Sequence, residues 1–106
     1  MSYLGLDLGA TNVKGALVDA KGRVLAHASE PLGDGAATLA PEAVADALAC
    51  VAQSCVRDWA AVRAVGVGAL GAIEGGVITG CANLFRGSKF PVPLAALVAA
   101  RLHGKR

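Results

Sequence analysis

Near its start the chain carries two apolar runs joined by four small or polar residues. Leu4, Leu6 and Leu8 alternate with Tyr3, Gly5 and Asp7; Gly9-Ala10-Thr11-Asn12 follows, and a second apolar run covers residues 13–18 and ends on Asp19. Period-two alternation makes residues 3–8 a strand with one apolar face, and residues 13–18 a second strand. Gly9-Ala10-Thr11-Asn12 leaves room for only a tight turn. Asp19-Ala20-Lys21-Gly22 is another turn, in which Gly22 can take a positive φ, and residues 23–29 return as a third strand. Strand, turn, strand, turn, strand predicts an antiparallel meander.

Residues 31–38 form a loop, and residues 39–62 are predicted as one helix. Pro41 suits its first turn, where the missing N–H is no loss. Glu42 and Asp46 suit the positive N-terminal end and Arg57 the C-terminal end. Val44, Leu48, Val51 and Cys55 make a single apolar stripe. Residues 64–70 are a short apolar strand, so the unit is a parallel, right-handed crossover. Residues 71–80 are a glycine-rich turn with one short strand near 77–79. Residues 91–104 are a helix with Leu94, Leu97, Val98 and Leu102 on one face and Gly104 at its C-cap. The class is α/β, in the order β-β-β-α-β-α. A crossover helix normally leads to another strand, and only Lys105 and Arg106 remain. The fold is expected to lack its last strand.

Composition excludes several function classes. The formal charge is +2 over 106 residues, with no basic block beyond Lys105-Arg106, so a nucleic-acid partner is not expected. The three cysteines, Cys50, Cys55 and Cys81, and the two histidines, His27 and His103, show no metal-ligand spacing. They read as packing or surface residues, and an odd cysteine count suits a reducing cytoplasm. Residues 64–73 are a charge-free apolar stretch, about half of the roughly twenty residues a membrane span needs. With Asp7 interrupting the N-terminus, no secretory signal is read. The expected location is cytoplasmic, without a membrane partner.

An acidic residue closing a strand, then glycine, then a hydroxyl residue in a turn, can hold a phosphate and its metal. Gly9 lets backbone N–H groups approach oxygen without a side chain between. Thr11 can donate its hydroxyl, and Lys14 adds positive charge. Asp7 would repel a bare phosphate but can hold Mg²⁺ through water. The same spacing also fits an ordinary hairpin with an exposed lysine. It is neither a Walker A loop nor a dinucleotide fingerprint.

"GLDLGATNVKGALVDAKGRVLA" resembles the first phosphate motif of the actin-like ATPase superfamily, in the form similar to the ROK family of sugar kinases and repressors. "VGVGALGAIEGGVITGCANLFRG" resembles that family's glycine turn, short strand and Asn-Leu pair, and "VPLAALVAARLHG" its following helix. The resemblance covers residues 3–104. It implies a ribonuclease-H-like N-terminal lobe, residues 1–106, of an ATP- and Mg²⁺-dependent kinase acting on a hexose or amino-hexose. Asp7, Gly9, Thr11 and Lys14 match the phosphate side, with Asp7 as the Mg²⁺ contact through water. Gly71 matches the turn along the sugar, and Asn83 a sugar-hydroxyl contact.

The sequence also departs from the family pattern. Leu70 stands where many members carry proline, and Phe90 falls in a stretch where tryptophan is common. The family's catalytic aspartate, in a Glu-Asn-Asp run after the last helix, its zinc cluster and its second lobe have no counterpart here. Glu74 is the nearest carboxylate and reads as a solvated turn residue, so no catalytic residue is assigned. The expectation is a kinase fragment inactive alone. Two rivals stand: a fragment of a sugar-sensing regulator, disfavoured because the first strand starts at Tyr3, and an interaction module that self-associates or binds a second chain through an open sheet edge.

Overall fold

The computed structural model describes residues 1–9, 11–33, 40–69, 72–74, 77–80 and 93–102. Strands β1 (Ser2–Leu8), β2 (Asn12–Asp19) and β3 (Val24–Pro31) form the expected meander. Helix α1 (Pro41–Cys55) leads to β4 (Val62–Ala69), which pairs parallel with β1, giving the order β3-β2-β1-β4. β5 (Ala72–Glu74) and β6 (Val77–Gly80) form a separate antiparallel pair, and α2 (Leu94–Leu102) packs on α1.

Alternation decides which face is buried. Leu4, Leu6, Leu8 and Val13 are buried on the side that carries α1, against Val44, Leu48, Val51 and Cys55. The predicted stripe of α1 is thus the buried stripe. From α2, Leu94, Val98 and Leu102 join this core, and Leu97 packs at its margin. Tyr3, Gly5, Asp7 and Lys14 lie on the opposite, open face.

Three sequence expectations change. The helix stops at Cys55 rather than reaching 62. Val56 is extended (φ −114°, ψ 122°), and Asp58 accepts the Ala60 N–H to cap a short 3₁₀ turn, Trp59–Ala61. Arg57 therefore lies beyond the helix, and Trp59 packs against the core from the 3₁₀ turn. β3 runs on through Pro31, which is tolerated because β3 is a sheet edge. The glycine-rich stretch holds two paired strands instead of one, with Glu74 opposite Val77.

Candidate phosphate site

The register assembles the site. Asp7 and Lys14 are directly opposed across β1 and β2, Lys14 opposes Ser29 on β3, and Asp7 opposes Gly68 on β4. Gly68, Asp7, Lys14 and Ser29 thus form one row across the open face. The next row is Gly66, Gly5, Ala16 and His27. Three of those four positions carry no more than a methyl group, so a shallow groove of about 380 Å³ runs beside Asp7, Lys14, His27 and Ser29. Among the described residues no ion pair joins Asp7 to Lys14.

The turn at the end of this row is closed by its own hydrogen bonds. The Gly9 N–H donates to the Asn12 carbonyl at 2.9 Å, and the Leu32 N–H to the Thr11 carbonyl at 2.8 Å. A Cβ at Gly9 would stand 3.2 Å from the Asn12 carbonyl oxygen, a tight contact that a larger residue would have to relieve by a small shift of the turn. A ligand oxygen can take the Gly9 amide only by displacing that bond. Thr11 is exposed, and its Oγ1 accepts from Asn12 Nδ2 at 3.0 Å. The Thr11 hydroxyl hydrogen is thereby left to donate outward. Asn12 and Ser29 were missed in the sequence. Asn12 could have been found as the amide neighbouring a hydroxyl in a tight turn; Ser29 comes beside Lys14 only through strand pairing.

The structure therefore brings together Asp7, Gly9, Thr11 and Lys14. Gly71 and Asn83 lie outside the described residues, as do Leu70 and Phe90. Among the described residues no three His, Cys, Asp or Glu side chains gather as a metal cage. Asp7 alone suits Mg²⁺, which is commonly held by one or two carboxylates plus phosphate and water. A Cβ at Gly68 would lie 3.9 Å from Asp7 Oδ1, so glycine keeps the neighbouring strand from crowding the carboxylate. A larger hollow of about 710 Å³ at the far end of the sheet, bordered by Asp19, Arg57 and Asp58, contains none of the expected site residues.

A central strand flanked by an antiparallel hairpin on one side and a parallel crossover strand on the other defines a ribonuclease-H-like lobe of the actin-like ATPase fold. Within that class the chain belongs to the ROK family, which it matches over residues 3–103. It is similar to the solved inorganic polyphosphate/ATP-glucomannokinase from Arthrobacter sp. strain KM, with 30% identity and a TM-score of 0.76, covering 96% of this chain and 41% of that one. The ROK hexokinase from Thermus thermophilus gives 28% and 0.73, covering 97% and 33%. The ROK glucokinase from Streptomyces griseus, in complex with glucose and AMPPNP, gives 24% and 0.68, covering 97% and 31%. No curated protein sequence matches the chain. The chain thus spans less than half the length of each of these three.

Proposed function

We propose that this chain supplies the phosphate-binding face of an ATP-dependent sugar kinase. The observation that carries the reading is the row Asp7–Lys14 beside a turn whose Thr11 hydroxyl is oriented by Asn12. Lys14 neutralises terminal phosphate charge, and Thr11 donates to a phosphate oxygen. Asp7 would hold Mg²⁺ through water; when bound, that ion supplies charge neutralisation for phosphoryl transfer. Gly71 and Asn83 are proposed for the sugar side on the family resemblance.

The chain by itself is proposed to bind without turning over. Transfer depends on fixing both reactants in one dry cleft, and one lobe forms one wall. Titrating MgATP into ¹⁵N-labelled chain should move the amide signals of residues 7–14. Asp7→Ala and Thr11→Ala should each weaken that binding about tenfold, the value of one charge-assisted contact. Unchanged affinity in both variants sinks the reading. A coupled ADP-release assay over a panel of hexoses should stay at background.

A second phosphoryl donor is favoured by one comparison. The Arthrobacter neighbour is described as an inorganic polyphosphate/ATP enzyme. The groove here continues past Lys14 to Ser29 and His27. Polyphosphate should then compete with MgATP for the same amide signals, and Ser29 should respond to it.

A further inference from the structure

One of the bonds that hold Thr11 comes from outside its own turn. The Gly9 N–H closes the turn on the Asn12 carbonyl, and Asn12 Nδ2 donates to Thr11 Oγ1. The Thr11 carbonyl is held by the Leu32 N–H at 2.8 Å. Leu32 lies just past the end of β3, and its side chain packs against the core. The donor is thus anchored by burial, whereas the turn that it holds is exposed. Gly33 follows at φ 83°, a conformation that side chains rarely adopt, and a Cβ there would meet nothing within 4 Å. That backbone lets Leu32 keep both its core contact and its bond to Thr11 as β3 ends.

We infer that Leu32 and Gly33 are positioning residues for the phosphate turn. Gly33 sets the backbone that aims the Leu32 N–H, and the bond from that N–H fixes Thr11 for a phosphate oxygen. The inference rests on the phosphate reading of Asp7, Thr11 and Lys14. A hydroxyl on an exposed turn swings freely unless its main chain is held. With its carbonyl and its Oγ1 both held, Thr11 loses less freedom when a ligand arrives, and binding is tighter for that reason. Neither Leu32 nor Gly33 touches the ligand; both act through Thr11.

Gly33→Val strains the backbone without a clash, and Gly22 supplies a matched control, with φ 84° and open space, before the start of β3. Both Gly33→Val and Gly22→Val should lower Tm. Only Gly33→Val should speed exchange of the Leu32 amide and weaken MgATP binding, by about fivefold, the value of one hydrogen bond. Gly33→Asn, a residue that tolerates positive φ, should restore both. In a Thr11→Ala background Gly33→Val should add no further loss. Gly33→Ala carries a milder form of the same strain and stands in if Gly33→Val unfolds. Unchanged affinity in the Gly33 variants, an equal loss in Gly22→Val, or a loss that persists in full in the Thr11→Ala background overturns the inference. If Asp7→Ala and Thr11→Ala weaken binding while Gly33→Val does not, this inference falls alone; if none of the three does, the phosphate reading falls with it.

Discussion

A Cβ added at Gly15 would stand 2.7 Å from Val51 Cγ1, 3.1 Å from Leu6 Cδ2 and 3.3 Å from Cys55 Sγ. Gly15 therefore leaves no room for a side chain between the sheet and α1. Gly15→Ala should destabilise the fold by about 1–3 kcal/mol, the usual range for overpacking, measured by urea unfolding. Gly66→Ala, with open space around it, should be neutral or stabilising by the same assay. The two glycines look alike in the sequence, and nothing local separates them. Cysteine chemistry is also set by neighbours. The Glu30 carboxylate, first as a hydrogen-bond partner and then as a charge, pushes the exposed Cys50 thiol up, and burial pushes Cys55 up. Less thiolate is present at a given pH, so Cys50 should alkylate with iodoacetamide at pH 8 more slowly than a free cysteine. Glu30→Gln should speed that reaction.

The β2–β3 turn is held by one carboxylate. Asp19 accepts the Lys21 and Arg23 N–H groups and the Arg23 Nε, each at 2.9 Å, and Gly22 sits at φ 84°. The backbone bond from Arg23 is the main reason its carboxyl is held below the usual range. A lowered folded pKa gives stability that is full above the unfolded value of about 4 and is lost as pH falls through the lower folded value. Asp19→Asn should lower Tm at pH 7, and the gap from the parent should close on acidification below about pH 4. At the entry to α1, Ala40 caps without a side-chain bond. Ala40→Asp should add about 1 kcal/mol by supplying one. The Asp46–Arg101 pair links α1 to α2, but Asp46 is exposed, so Asp46→Ala should change stability by less than about 1 kcal/mol. Element identity was legible in the sequence because alternation and the stripe are local. The end of α1 was not. No glycine or proline follows Cys55 to stop the helix, and the chain turns there to bring Val62 to the start of β4 beside Ser2.

At the scale of the molecule, β1 and β2 are paired on both sides and roofed by α1, whereas among the described residues β3 and β4 are edges. Amides of β1 and β2 should exchange slowest and those of β3 early. The sequence alone determined the three strands, the two helices, the buried leucines and the polar composition of the Gly9–Asn12 turn. It did so because period and turn chemistry are properties of neighbouring residues. Only the tertiary structure decided that Asp7 and Lys14 face each other, that Ser29 extends their row and His27 the next one, that Asn12 orients Thr11, and that a side chain at Gly15 would collide with α1. Those facts depend on strand register and helix approach. Both are fixed by packing between segments far apart in the chain, and the order of residues does not display them.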